Sequence, residues 1–443
     1  MRYYIRTFGC QMNKADSEMI SGLMASAGHE PVASVSTADI VIFNTCSVRA
    51  RAEERLYGNI RSLKNWRRSG DRLIAVGGCV AERAGSKLLK SFPYIDVVFG
   101  TRNFQNLPAL IDEAIEHGKA LCDIDGHRRI PEGLPTLRRH RARAWVPIIR
   151  GCSNYCSYCI VPHVRGVEVS RQLPDIIHEV NDLVSDGVKE VTLLGQNVNT
   201  YGSDLGKKGL FVDLLQKLDD VEGLDRIRFV TSHPKDLEDE MLDAIAGGKH
   251  ICEYLHLPFQ SGSDTMLSAM NRGYTRSQYI ELIERIRDRV PDSAVSTDII
   301  VGFPGETDED FEMTMDIVDS VRFDQAFLFI YSPRPGTRSA TLKDDVPAIV
   351  KHERFDLLVE RQNEICNEKN GELVGNTVEL LVEGRSRRDN DFMAGRTRTN
   401  KVVNFKGDRS LIDRFVDIKV TAASPYSLKG ELCLETDATQ AVT

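Results

Sequence analysis

The sequence predicts an α/β protein in three parts: an open parallel-sheet domain, an incomplete β/α barrel and a small antiparallel β-barrel. Three observations carry this reading. Short apolar strands alternate with helix-length stretches over the first three quarters of the chain. Near residue 371 the texture changes to the period-two pattern of antiparallel strands. Cysteines fall just beyond the ends of several predicted strands, where parallel α/β folds carry their functional loops.

Residues 1–118 make the first unit, a flavodoxin- or Rossmann-like parallel sheet. The run Tyr3-Tyr4-Ile5-Arg6-Thr7-Phe8 ends at Gly9-Cys10, Asp39-Ile40-Val41-Ile42-Phe43-Asn44 ends at Thr45-Cys46, and Arg72-Leu73-Ile74-Ala75-Val76 ends at Gly77-Gly78-Cys79. Met19, Ile20, Leu23 and Met24 recur at helical spacing between the first two. One cysteine at the same end of each strand predicts that Cys10, Cys46 and Cys79 converge on one sheet edge. The alternative is three separately buried cysteines. Residues 119–137, at the start of a Pro/Gly/Arg-rich stretch that runs on to Arg143, read as a linker.

Residues 138–370 make the second unit. Ala144-Trp145-Val146-Pro147-Ile148-Ile149 is a short strand that feeds a loop, and five further strand-like runs alternate with amphipathic helices. They are residues 190–194, 226–230, 254–257, 298–301 and 327–330, giving about six β/α units, a partial (β/α)6 TIM-like barrel. The loop holds Cys152, Cys156 and Cys159 in C-x-x-x-C-x-x-C spacing. Three thiolates on one loop can hold three irons of a 4Fe-4S cube and leave the fourth open. An open iron can chelate the amino and carboxylate groups of S-adenosylmethionine (SAM) and pass an electron into its sulfonium, which yields a carbon radical. A zinc site completed by His163 is the alternative, although structural zinc usually takes paired C-x-x-C units. If the strand-end cysteines converge, they form a second such site. Tyr158 can wall off the loop cluster and lie against a nucleoside. Gly195, Gln196, Asp298 and Gly302, at strand ends, are the expected cofactor contacts, with ordinary barrel packing as the alternative.

Residues 371–434 make a small antiparallel barrel of OB-like kind, and 435–443 a tail. Its arginine-rich connection, Arg385, Arg387 and Arg388, continues to Arg396, Arg398 and Lys401, a basic face of the sort small barrels offer RNA. A net charge of -8 argues against bulk polyanion binding, but local clusters neutralise phosphates whatever the global balance. A second basic run, Arg128-Arg129 and Arg138 to Arg143, has solvated loop charge as its plainer reading. No apolar stretch approaches a membrane span, and the N-terminus has no signal core, so a cytoplasmic location is expected. Ten cysteines there argue for metal or redox chemistry rather than disulfides. Cys122, Cys252, Cys366 and Cys433 receive no role.

The chain resembles the radical SAM methylthiotransferases over nearly its whole length. The resemblance rests on Gly9-Cys10, Asn44-Thr45-Cys46, Gly78-Cys79 and the cysteine loop with Arg165-Gly166 after it. It also rests on Leu194-Gly195-Gln196-Asn197-Val198-Asn199, Thr231-Ser232-His233-Pro234, Leu257-Pro258-Phe259-Gln260-Ser261-Gly262, Gly302-Phe303-Pro304-Gly305-Glu306-Thr307 and Tyr331-Ser332-Pro333-Arg334-Pro335-Gly336-Thr337. The last domain looks like the family's RNA-binding TRAM barrel, carried by Glu383-Gly384-Arg385 and Gly395-Arg396-Thr397. His163 stands where the family often has tyrosine and Val167 where an acidic residue is common. The resemblance implies methylthiolation of carbon 2 of N(6)-isopentenyladenosine at tRNA position 37. It implies two 4Fe-4S clusters, one on Cys152, Cys156 and Cys159 and one on Cys10, Cys46 and Cys79, with SAM as the other cofactor. The partners would be an anticodon stem-loop and a low-potential electron donor, and the enzyme would be a monomer with no catalytic side chain beyond the cluster ligands. A sibling enzyme acting on threonylcarbamoyladenosine or on a ribosomal-protein aspartate is one alternative. A non-catalytic iron-sulfur RNA-binding sensor is the other.

Overall fold

The structure is a computed structural model that describes residues 1–433 except 48, 49, 69, 125, 127–129, 387 and 388. The first sheet contains β1 (Arg2–Phe8), β2 (Glu30–Pro31), β3 (Ile40–Thr45), β4 (Leu73–Gly78), β5 (Val97–Phe99) and β6 (Leu121–Asp123), all parallel, in spatial order β2-β1-β3-β4-β5-β6. Strands β3 and β4 are buried at every residue because helices cover both faces. Helices Gln11–Ser26 and Leu107–His117 close one face over Tyr3, Ile40, Ile42 and Phe99. Helices Ala50–Ser62 and Cys79–Ala84 close the other over Val41, Phe43, Ile74 and Val76.

One boundary moves. Residues 119–137 read as linker in sequence, yet Leu121–Asp123 adds the last strand of this sheet, pairing Val97 with Leu121 and Phe99 with Asp123. Three residues with only a partly buried apolar member leave no periodic trace.

The second unit holds β7 (Arg143–Pro147), β8 (Ile149–Arg150), β9 (Val169–Ser170), β10 (Glu190–Leu194), β11 (Arg226–Phe229), β12 (Tyr254–His256), β13 (Ala294–Val301) and β14 (Gln325–Ile330). Two parallel three-stranded sheets, β11-β10-β7 and β12-β13-β14, are stitched by a parallel bridge between Ile227 and Ile251. Strands β7 and β14 are left as the free edges of an incomplete barrel. β8 and β9 form a short antiparallel ribbon at the root of the cysteine loop. No helix among the described residues is long and apolar enough to cross a membrane.

β15 (Thr377–Arg385), β16 (Phe392–Arg396), β17 (Val402–Lys406), β18 (Phe415–Ser424) and β19 (Ser427–Leu432) close a barrel in the order β15-β16-β17-β19-β18. One pair, β17 with β19, is parallel, and the rest are antiparallel. Leu380, Val382, Met393, Val403, Phe405, Ile418, Val420 and Leu428 fill it. This barrel seats on the N-terminal ends of the central strands, opposite the cysteine loop. Arg226 Nη1 donates to the Arg396 carbonyl at 2.8 Å and Nη2 pairs with Glu379 at 2.6 Å. Arg228 donates to the carbonyls of Thr397 at 2.6 Å and Arg398 at 2.8 Å.

The turn after β13 ties the barrel to the long helix Ala348–Gly371. Glu306 Oε1 accepts from Gly302 N at 2.9 Å and pairs with Arg354 Nη1 at 2.6 Å, with side chains only 2% and 7% exposed. Burial raises the Glu306 carboxyl, and Arg354 acts against that shift. Thr307 and Asp310 form a reciprocal cap on the following helix Asp308–Val321. Removing one partner of a buried pair strands the other. Arg354→Leu is therefore expected to destabilise the central barrel by about 3–5 kcal/mol, read as a lowered urea midpoint in its unfolding transition.

Candidate metal centres and cofactor site

The register of the first sheet explains how three cysteines distant in sequence meet. Phe8 pairs with Thr45 and Thr45 with Gly78, so β1, β3 and β4 end level and side by side. Cys10, Cys46 and Cys79 follow within two residues of those ends. A Cβ on Gly9 would lie 2.8 Å from Cys46 Cβ, and one on Gly78 would lie 2.4 Å from the Thr45 carbonyl, which is why the chain has glycine at both. Asn13 locks the edge, with Nδ2 donating to Asn44 Oδ1 and to the Thr45 carbonyl at 3.2 Å. The Cys10 thiol is lowered to about 6, first by a hydrogen bond from Cys46 and then by the charge of Arg165. Burial pushes the Cys79 thiol up.

The second trio lies on the loop after β8. Gly151 has φ +86° and no room for a Cβ, which would come within 2.1 Å of the Val167 carbonyl. Cys152 N donates to the Gly166 carbonyl at 3.1 Å and Cys159 N to that of Cys156 at 2.9 Å, which coils the loop on itself. Ser157 fastens it to the turn after helix Asp264–Ala269, donating through N to the Met270 carbonyl and through Oγ to that of Ala269, at 2.9 and 2.7 Å. Buried Arg272 donates to Cys156 Sγ at 3.3 Å and to the Pro258 carbonyl at 2.7 Å. Burial, with neighbouring thiols adding to it and Glu168 also adding at Cys152, raises Cys152 to about 11 and Cys159 to about 12.

Burial thus disfavours the ionised forms of Cys79, Cys152 and Cys159, whereas Cys10 is already lowered, and the positive charge of bound irons would favour thiolate at all of them. Among the described residues no three His, Cys, Asp or Glu side chains close in to the spacing that a single ion takes. Thiolates bound to different corners of a cube stand further apart than that. The donor sets fit two cubes, each with three protein ligands.

The expected cofactor contacts occupy one mouth of the barrel, with an exception. Tyr158 packs against Met266, Met270, Ile300, Phe303 and Tyr331 beside its cysteines. Gln196 Oε1 accepts from Gly151 N at 2.5 Å, and a Cβ on Gly195 would strike Ile149 at 2.4 Å. Asp298 stands on the inward face of β13, 3.5 Å from His256 Nε2, whose ring partner is Ser296 Oγ at 2.9 Å. Gly302 differs. A Cβ there would meet Lys351 Cγ at 2.4 Å, and its φ is +71°, so the glycine serves the packing of helix Ala348–Gly371 onto the turn. Around this mouth Tyr155, Thr231 and Gln260 have positive φ, which for branched Thr231 at +72° is a costly conformation of the sort that functional sites store. Ser232 Oγ and His233 Nε2 are buried there without a hydrogen-bond partner, polar atoms that a bound amino acid or ribose can satisfy. Burial, with help from Arg272, holds His233 neutral and lowers it to about 2.

Nothing local in the sequence marks Asp16 or Arg272, and Arg165 stands out only as part of Arg165-Gly166. The basic residues of the last domain divide. Arg385 lines an open cleft of about 320 Å³ with Asn390, Asp391, Met393, Gly407, Asp408 and Arg409. Arg387 and Arg388 lie outside the described residues. Arg398 and Lys401 are committed to the domain seam instead, while Arg396 is paired inside its own barrel. Arg396 pairs with Glu383 at 3.1 Å, Arg398 with Glu253 at 2.6 Å and with the carbonyls of Lys249 and Ile251, and Lys401 with Asp324 at 3.0 Å and Asn370 at 2.8 Å. The acidic partners of Arg398 and Lys401 sit at the starts of central strands, far away in sequence, so the charge run alone could not announce them.

Comparison with known proteins agrees with this division. Residues 2–100 match the uncharacterized protein family UPF0004, residues 146–318 the radical SAM superfamily and residues 371–433 the TRAM domain. Among solved structures, the radical SAM methyltransferase TsrM from Kitasatospora setae superposes with TM-score 0.57 at 16% identity, covering 76% of this chain and 77% of that one. At that identity the likeness is one of fold. The tRNA-2-methylthio-N(6)-dimethylallyladenosine synthase of Carboxydothermus hydrogenoformans is 48% identical over 97% of this chain and 99% of its own. That of Thermoanaerobacter pseudethanolicus is 48% identical over 97% and 92%, and that of Clostridium tetani 45% over 97% and 96%. Two thiol trios at one seam, three matched domains and this near full-length identity together establish that the chain belongs to the tRNA-2-methylthio-N(6)-dimethylallyladenosine synthase family.

Proposed function

We propose that this protein adds a methylthio group to carbon 2 of N(6)-isopentenyladenosine at position 37 of tRNA. The observation that carries the reading is the pair of three-thiol sites meeting at the mouth of one barrel, in a chain 48% identical to synthases of that name. Cys152, Cys156 and Cys159 would hold the cluster that supplies the electron for splitting SAM into a 5′-deoxyadenosyl radical, and Cys10, Cys46 and Cys79 would hold the one that supplies the sulfur. Carbon 2 bears an unactivated C–H bond that no side-chain base removes near neutral pH, hence the radical route. A low-potential one-electron donor is needed, and the chain works as a cytoplasmic monomer.

The protein's own residues bind, orient and exclude water. Met12, Ala15, Leu194, Trp145 and Val230 make an apolar wall next to Cys10, which keeps water from the reacting carbon. Tyr158, Gly195, Gln196 and Asp298 take the SAM contacts, with Ser232 and His233 completing the polar lining. The base leaves its stack to reach this wall, as in other base-modifying enzymes. Arg385, Arg387 and Arg388 hold the phosphates of the anticodon stem-loop.

Nucleoside mass spectrometry of tRNA from a deletion strain tests the substrate: the methylthio derivative should vanish and isopentenyladenosine accumulate, whereas loss of a threonylcarbamoyl derivative would point to a sibling activity. Anaerobic reconstitution of Cys10→Ala/Cys46→Ala/Cys79→Ala should halve iron and sulfide yet still release 5′-deoxyadenosine from SAM. The triple alanine variant of the loop should also keep half the iron but release none. Filter binding across salt concentrations should show Arg385→Ala/Arg387→Ala/Arg388→Ala with weaker tRNA affinity and a log-log salt slope shallower by about 1 for every phosphate that goes without its arginine.

A further inference from the structure

The helix Val161–Arg165 begins two residues after Cys159, the last cysteine of the loop, and yet its far end lies in the other thiol site. Ile160 and Val164 pack against Cys79, and Thr101 Oγ1 donates to the Val164 carbonyl at 2.8 Å. Arg165 closes the helix. Its guanidinium Nη2 lies 2.8 Å from Asp16 Oδ2, and the two side chains are 4% and 9% exposed. Asp16 stands on helix Gln11–Ser26, which Cys10 opens. Arg165 is within hydrogen-bonding reach of Cys79 and close enough to Cys10 to act on its charge. Asp16 neutralises one charge, and Glu82 and Glu53 nearby are paired with Arg102 and Arg83, but Arg150 is buried beside the pair and Arg334 acts on Cys46. The surroundings of this trio therefore carry more positive than negative charge.

Such a surplus has a use. Three thiolates make an iron-sulfur cube net negative, and each electron or anionic sulfur added makes it more so. A fixed buried cation at the thiolates favours the more negative state, and low polarisability of the surroundings amplifies the effect. We propose that Arg165 is a positioning residue for the sulfur-carrying cluster, raising that cluster's reduction potential through Cys79 and Cys10, with Asp16 opposing it to set the final value. This rests on the proposed function only in requiring a cluster on Cys10, Cys46 and Cys79.

The test is a redox titration followed by electron paramagnetic resonance, on full-length protein carrying Cys152→Ala, Cys156→Ala and Cys159→Ala so that only the sulfur-carrying cluster contributes. Arg165→Gln should lower the reduced-to-oxidised ratio at a fixed poise about tenfold, equal to 59 mV for one electron. Asp16→Asn should shift the ratio the opposite way, and Arg165→Lys should stay near the parent. Opposite signs separate an electrostatic role from a structural one, since loosening the seam would move both neutralising variants alike. A parallel titration with Cys10, Cys46 and Cys79 replaced should show the loop cluster's potential much less affected by Arg165→Gln. Unchanged potentials, or shifts of the same sign in Arg165→Gln and Asp16→Asn, overturn the proposal and leave the function standing. Absence of any cluster signal from the loop-deficient parent overturns both.

Discussion

The relative placement of the two thiol sites depends on a buried ion pair between Arg165 and Asp16, residues 149 positions apart that belong to different domains. Each would be expensive to leave alone away from water, so the pair is satisfied only when the first sheet and the barrel meet in one arrangement. The same short helix serves two tasks. Its beginning is set by the cysteine loop, which the ribbon of β8 and β9 and the contacts of Ser157 hold in place. Its end is set by Asp16 and by packing on Cys79. A rigid element of five residues thus measures out the gap between the sites.

The opposite end of the barrel is governed by the same kind of interaction used for another purpose. Arg143, Glu190, Arg226, Glu253 and Asp324 stand at or just before the starts of five central strands, and most reach residues of the C-terminal barrel. Polar groups at strand starts would otherwise face the barrel floor unsatisfied. The C-terminal barrel supplies carbonyls and charges that match them, which makes it a plug for the floor. Cation-π contact of Arg226 with Phe415, at 4.6 Å, adds to the hold.

Much of this was legible in the sequence for a physical reason. Strand periodicity and the short spacing of Cys152, Cys156 and Cys159 are local, and parallel sheets put equivalent strand ends side by side, so the convergence of Cys10, Cys46 and Cys79 followed from where each cysteine stood. What failed to show was long-range. Arg398 and Lys401 looked like their neighbours in a basic run, and only the fold reveals Glu253 and Asp324 waiting for them. Gly302 invited a ligand reading because glycine permits close approach, but what approaches is Lys351 from a distant helix. β6 was too short to announce itself, and Arg272 acquires meaning only when the turn of Asn271, with φ +58°, brings it to Cys156.

The unclosed circumference of the central barrel has a consequence for traffic. Its roof is occupied by the cysteine loop and the first sheet, and its floor is stoppered, which leaves the flank where β7 and β14 do not pair, with helix Gln11–Ser26 as its wall along β7 through Met12 and Ala15. The longest strand of the central barrel spans eight residues, roughly 26 Å at the usual rise, so the stopper lies about one strand length from the thiols. A folded RNA can keep its stem outside against the protein's side while a single everted nucleotide reaches inward through that slot. Threading of the polymer through a pore is unnecessary, and the macromolecule can be engaged and released broadside.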